Sequence, residues 1–192
     1  VHHFAKPASG IARLAALVLA AAMPAVPFNA LAQHAHGNLT AVAELQAKSG
    51  SAVEGKLTFH EMPGKGVHIE GRVSGLTPGK HGFHIHTNGN CDSPDGMSAG
   101  GHFAPTGGRH GAPTDKEHHP GDLGNIVANA EGVADVDVMA PGLTITLMGK
   151  SSIGERSIVI HANEDDFSDP AGNSGARVAC GYIDLVELHM RM

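Results

Sequence analysis

Tryptophan is absent from the 192 residues, tyrosine occurs once and phenylalanine six times. With aromatics at 4%, the chain has little material for the stacking platforms that hold bases or sugars. Positive charge is scarce too: 13 Lys and Arg against 19 Asp and Glu give a formal net charge of −6. Phosphate binding needs clustered cations, so this balance argues against a nucleic-acid partner. Long apolar runs are missing. The longest, Leu14 to Met23, has ten residues. A bilayer-spanning helix needs about 20, so no membrane span is expected. Cysteine occurs only as Cys91 and Cys180, with no Cys-x-x-Cys pair, which disfavours structural thiolate zinc and thioredoxin-like redox chemistry. No H-E-x-x-H stretch is present, which disfavours a zinc peptidase.

Turn formers are abundant instead, with 26 Gly and 11 Pro. Between them run short segments of period-2 alternation: 39–47, 52–59, 67–73, 81–87, 126–130, 133–139, 143–148, 157–161 and 177–186. No segment carries a convincing apolar stripe at helical spacing. The length suits one domain. Eight or nine short strands with turn signals between them predict an all-β, antiparallel sandwich or flattened barrel. Two stretches break the rhythm, 88–125 and 163–175. Long loops in a compact domain are usually functional, and each of these follows a strand that carries histidine.

Residues 1–32 read as an address rather than as fold. Lys6 and Arg13 flank the apolar run, Pro24 and Pro27 break it, and Ala30-Leu31-Ala32 supplies small residues for cleavage. That order is a secretory signal peptide. Cleavage after Ala32 leaves a polar arm over 33–38, containing His34 and His36, and a domain over 39–192. The expected location is the periplasm or the exterior. In such an oxidising compartment Cys91 and Cys180 read as one intrachain disulfide, with two free buried thiols as the alternative.

Histidine is the outstanding excess, at 15. His84 and His86 are two apart on an expected strand, so both imidazoles share one face. The loop that follows adds His102, His110, His118, His119 and Asp122, and His161 ends another apolar strand. Imidazole-rich sets suit copper or zinc, and an imidazole-plus-carboxylate set of four suits tetrahedral zinc. The donors suffice for two sites.

Five motifs then occur in order: G-F-H-I-H at 82–86, A-G-G-H-F at 99–103, H-x8-H-P-G-D-L-G-N at 110–125, V-I-H-x3-D at 159–165 and G-A-R-V-A-C-G at 175–181. Together they resemble the copper/zinc superoxide dismutases, over most of 39–186. The resemblance implies a Greek-key fold, copper and zinc as cofactors, and superoxide as substrate. It implies copper ligands at His84, His86, His102 and His161. His102 would be shared with zinc, whose other ligands would be His110, His119 and Asp122; His119 is preferred to His118 because Asp122 follows it by three. Asp165 would link a copper histidine to a zinc histidine, Arg177 would stand beside copper, and Cys91 would pair with Cys180. His102 and Arg177 are the implied catalytic residues, the first as proton carrier and the second as anion dock.

Within the family, the early placement of Cys91, five residues after His86, and D-x-F-S-D at 165–169 look like the bacterial secreted branch. No lysine-bearing steering segment occurs in 163–176; Arg109 and Lys116 are the substitutes considered. The family also implies a homodimer, although Asp184 stands where the animal interface has a small residue. The competing reading is a non-enzymatic copper/zinc-binding module on the same fold. Such a module should lack a copper ligand or the arginine, and here all are present.

Overall fold

A computed structural model describes residues 1–3 and 39–186. The expected signal peptide, the arm with His34 and His36, and His189 lie outside the described residues, except that residues 1–3 are described. Among the described residues nine strands follow in chain order: β1 Thr40–Ala47, β2 Glu54–Met62, β3 Gly66–Ser74, β4 Gly79–His86, β5 Asp122–Ala128, β6 Ala134–Ala140, β7 Ser157–His161, β8 Arg177–Tyr182 and β9 Asp184–Val186. The one helical element among the described residues is a 3-10 turn, Met97–Ala99.

Every ladder is antiparallel, in the order β5-β4-β7-β8-β1-β2-β3-β6, with β9 also on β1. The two ends of that order, β5 and β6, lie against each other, so the sheet nearly closes into a barrel. The β2–β3 hairpin shows how the sequence sets the register. Pro63-Gly64-Lys65 supplies the turn, Gly64 takes φ 74°, and Lys65 N donates to Met62 O at 2.8 Å. That pairs Phe59 with Ile69 and Leu57 with Gly71 on the inner face. Leu57, Phe59, Val67, Ile69 and Val73 are buried, while His60, His68, Glu70 and Arg72 face out. Burying each large apolar side chain is worth about 1.5–3 kcal/mol.

β4 and β7 differ because they are buried on both faces. Phe83, Ile85, Ile158 and Ile160 point into the barrel core. The opposite face carries His84, His86, Val159 and His161, covered by the two long loops. This double burial explains why Ile158, Val159 and Ile160 follow one another without alternation.

Two expectations need revision. Residues 143–148 form no strand. Leu143 and Ile145, with Ile153, are buried at the end of the barrel while Leu147 and Met148 are exposed. Their alternation plugs the barrel, with the Ile145 N–H satisfied by Glu61 Oε2 at 2.9 Å and only an isolated bridge between Thr144 and Ser152. The expected strand over 177–186 divides at Ile183. Its backbone bonds Glu155 N and Arg156 O rather than β1, and its side chain is fully buried.

Candidate metal centre

Strands β4 and β7, the long loops that follow them, and the first residues of β5 and β8 meet on the outer face of β4 and β7. β4 brings His84 and His86, and β7 ends on His161. The loop after β4 folds back along it: Thr87 N donates to Gly101 O at 2.9 Å and Phe103 N to Ile85 O at 2.8 Å, setting His102 opposite His86. The same loop carries His110 and His119 to Asp122, the first residue of β5. The loop after β7 delivers Asp165, and β8 opens with Arg177.

These side chains form two donor groups that share His102: His84, His86, His102 and His161, and His102, His110, His119 and Asp122. Within each group the donor atoms lie within 4.8 Å of one another. The ring centroids of His84 and His102 are 4.2 Å apart, those of His84 and His161 4.9 Å, and those of His102 and His110 5.1 Å. His118 stays outside both groups; its Nδ1 donates to the His119 carbonyl at 2.8 Å.

One nitrogen of each ring is tied, which aims the other. His84 Nε2 donates to Asp165 Oδ2 at 2.7 Å and His110 Nε2 to Asp165 Oδ1 at 2.9 Å, so one buried carboxylate links the two groups. His86 Nδ1 donates to Gly100 O, His161 Nδ1 to Gly175 O and His119 Nε2 to Gly108 O. His102 Nδ1 lies 2.8 Å from Asp122 Oδ1. The remaining nitrogens, His84 Nδ1, His86 Nε2, His161 Nε2, His110 Nδ1 and His119 Nδ1, are buried and have no hydrogen-bond partner among the described residues. Asp122 comes within 3.0 Å of His110 Nδ1 and 3.3 Å of His119 Nδ1, yet neither contact has hydrogen-bond geometry. That is how ligands sit around one cation.

Energetics supports the same conclusion. A buried polar atom left unpaired costs about 1–3 kcal/mol. Five of them approach the whole net stability of a domain, about 5–15 kcal/mol. A fold that keeps them is built to have them filled, and the donor chemistry fits copper at the all-imidazole group and zinc at the group with a carboxylate.

The electrostatics follow from burial and neighbours. Burial pushes the His84, His86 and His161 imidazoles down, His161 to about 3, with Arg177 adding to the effect on His86 and His161. These rings stay neutral and able to ligate. Burial also opposes charge on His110, but Asp165 and Asp122 outweigh it and raise that ring. Burial acts to raise Asp122 and Asp165 as well; bonds from His102 to the former, and from His84 and His110 to the latter, hold both below the usual carboxylate range.

A cleft of about 630 Å³ opens over the shared ring, lined by His102, His119, His161, Asn173, Arg177 and Asp95 among others. Among the described residues, Arg177 is its one Lys or Arg and Asp95 its one carboxylate; Arg109 and Lys116 do not line it. Nη1 and Nη2 of Arg177 donate to Gly96 O at 2.8 Å and Gly100 O at 2.6 Å, which fixes the guanidinium at the cleft wall. A Cys91–Cys180 disulfide, Cα–Cα 5.6 Å, anchors that loop to β8 and packs with Ala99 and Val159.

The copper/zinc superoxide dismutase family model matches residues 53–183, well over half of the chain. The chain belongs to this family. It is 46% identical over 157 residues to superoxide dismutase [Cu-Zn] 2 of Mesembryanthemum crystallinum, covering 78% of this chain and 97% of that protein. It is 43% identical to superoxide dismutase [Cu-Zn] 3 of Arabidopsis thaliana, covering 78% and 92%. It is also 43% identical to the extracellular superoxide dismutase [Cu-Zn] of Brugia pahangi, covering 76% of each. As a copper/zinc superoxide dismutase, the chain is an oxidoreductase that converts superoxide to oxygen and hydrogen peroxide, with copper and zinc as cofactors. No helix among its described residues is long and apolar enough to cross a membrane.

Sequence reasoning missed several contributors to this dismutase site. Asn125 and Asp165 exchange two bonds, Asn125 Nδ2 to Asp165 O at 2.9 Å and Asp165 N to Asn125 Oδ1 at 2.7 Å, which pins the linking carboxylate. Asp169 Oδ1 accepts from His110 N at 2.9 Å. Gly172, with φ 66°, packs so closely on Asp165 that a Cβ would overlap the carboxylate. Asn125 falls inside a recognised motif and could have been singled out, whereas the role of Gly172 leaves no mark in the sequence pattern.

Proposed function

We propose that His84, His86, His102 and His161 hold the copper, that His102, His110, His119 and Asp122 hold the zinc, and that Arg177 docks superoxide beside the copper. The observation carrying this is the convergence of five buried, unpartnered imidazole nitrogens on two points that share His102. When bound, copper supplies a one-electron couple and zinc a fixed positive charge. The chain supplies position and protons. The always-charged Arg177 guanidinium attracts a monoanion into the cleft that it lines together with His161 and His102. His102, with Nδ1 held against Asp122, offers Nε2 as the atom that takes up a proton and passes it to the peroxide as that product leaves. Two superoxide ions and two protons give one oxygen and one hydrogen peroxide, so the second proton comes from water. Asp165 acts through the rings it orients, fixing tautomer and direction at His84 and His110.

The bacterial secreted branch is the proposed subtype, supported by the Cys91 spacing and D-x-F-S-D at 165–169. Residues 1–32 would be the signal peptide, 33–38 an arm and 39–192 the mature domain, destined for the periplasm or the exterior; relatives named extracellular accord with export. A homodimer is the proposed assembly, by family resemblance. Metal analysis with a superoxide-consumption assay on the exported protein tests the central reading. Intact mass tests whether Gln33 leads the mature chain, and sedimentation tests the dimer. Full copper and normal activity in His161→Ala would remove His161 from the ligand set.

A further inference from the structure

The outer face of β2, β3 and β6 carries a second cluster of imidazoles and carboxylates, made of residues outside the site above. The ladders place His60 opposite His68 and Glu70 opposite Asp137. His68 and Glu70 are two apart and so share a face. Their neighbours Phe59, Val67 and Ile69 are fully buried, which turns all four side chains outward. Glu70 stands against both rings, Oε1 3.3 Å from His60 Nε2 and Oε2 4.0 Å from His68 Nδ1. Asp137 Oδ1 accepts from His68 Nε2 at 2.8 Å.

We propose that His60, His68 and Glu70 form a surface site for one divalent transition-metal ion of the copper(II) or zinc(II) class, with Asp137 as the carboxylate that orients His68. The first argument is geometric. The His60 and His68 ring centroids are 6.4 Å apart, the same as those of His84 and His86 in the buried centre. The donor atoms converge less tightly than in the buried groups, so closing on one ion requires rotation about the χ angles of these partly exposed side chains. The second argument is tautomeric. Asp137 holds the proton on His68 Nε2, which leaves the Nδ1 lone pair facing Glu70, the same arrangement by which Asp165 frees His84 Nδ1. The third is charge. In the next row outward, Lys56 neutralises Glu44 at 2.6 Å and Arg72 pairs with Asp135 at 3.2 Å. Glu70 and Asp137 have ion-pair contacts only with the two imidazoles among the described residues. Two carboxylates facing two imidazoles attract a cation, and imidazole with carboxylate selects copper(II) or zinc(II) over harder ions. The partial exposure of His60 and His68 leaves the remaining coordination positions to water.

The test uses full-length protein whose buried centre is already filled with copper and zinc, titrated with copper(II) and followed by calorimetry and electron paramagnetic resonance. The wild type should take up one more equivalent than the His60→Ala/His68→Ala variant. That equivalent should give a separate signal with nitrogen splitting from two imidazoles. Asp137→Asn should keep the equivalent and weaken it by about tenfold. Circular dichroism of each variant checks that the sheet persists, and single variants at His60 or His68 serve if the double variant fails to fold. Equal uptake by wild type and folded variants, or an extra signal unchanged by losing these rings, would overturn the site and leave the cluster as surface ion pairs.

Discussion

His86 and Arg177 donate to one oxygen: His86 Nδ1 reaches the Gly100 carbonyl at 2.9 Å and Arg177 Nη2 reaches it at 2.6 Å. A single backbone atom therefore positions both a proposed copper ligand and the cation proposed to receive the substrate. The loop bearing that atom is fixed by the disulfide, which closes onto the strand that begins with Arg177. The proposed copper ligand and the proposed anion dock are thus tied to each other through the backbone of 96–100.

The charge that this carbonyl positions, on Arg177, can be tested from both signs. Superoxide has no apolar surface, so fixed charge supplies its guidance against a net charge of −6. Arg177→Ile should lower the rate constant about tenfold with both metals retained, and flatten its fall with ionic strength. Asp95→Asn, at the same cleft and within electrostatic reach of Arg177, should raise the rate at low salt and steepen that fall. Pulse radiolysis across a salt series measures both. Unchanged salt slopes in the two variants would place the guidance elsewhere.

Cys91→Ser should destabilise the protein and release the loop that carries Gly100. The bridge spans 89 residues. In the chain-entropy model such a loop contributes about 4 to 5 kcal/mol. Urea unfolding at fixed metal content gives the value. A loss under about 1 kcal/mol would mean that metal binding or residual structure already constrains the open chain.

Much of this was legible in the sequence because side chains carry it. H-x-H on a strand states a shared face, and the alternation in 54–62 and 66–74 states which residues go inside. The errors arose where backbone decides. Residues 143–148 alternate like a strand, but the alternation serves to plug a barrel end, and a periodic pattern is the same in either case. The break at Ile183 follows from bonds to Glu155 and Arg156, distant in sequence from the strand they interrupt. At the site, the Gly100, Gly108 and Gly175 carbonyls aim three rings, and no residue letter records where a carbonyl points.

Gly172 provides a test of that backbone contribution. A Cβ there would overlap the Asp165 carboxylate and approach within 2.7 Å of His110 Nε2, at a φ that L side chains rarely adopt. Gly172→Ala should therefore displace Asp165 and misalign both rings it holds. Zinc affinity should fall by about 10–100-fold, as for loss of an orienting partner. Competition with a chelator measures it. Asp165→Asn should produce a loss of similar size, and a normal zinc affinity in both variants would show that the loop tolerates the shift.

Acid should weaken the metal-free protein before any carboxylate titrates. His84, His86 and His161 are all held below their ordinary value of 6.5 when folded, first by burial. Above that value both folded and unfolded chains keep the rings neutral, so these groups give no pH slope. Below it the unfolded chain takes protons that the folded protein refuses, and stability falls. For His161, whose folded value is about 3, the window runs from about 6 down to its folded value. One such ring contributes a slope of about 1.4 kcal/mol per pH unit there, and His84 and His86 act in the same direction. His110 has the opposite sign: its raised value gives stability that is fully present below 6.5 and is lost as pH rises through its folded value, so it does not cancel the acid slope. Asp122 and Asp165, both lowered, add to the loss only once the pH nears the ordinary carboxylate range. Urea unfolding of metal-free protein at pH 7, 6 and 5 should show a steep decline below 6.5. His161→Gln should be shallower by about one proton, or about 1.4 kcal/mol per pH unit. An equal slope in the variant would mean that His161 protonates in the folded protein as freely as in the unfolded chain.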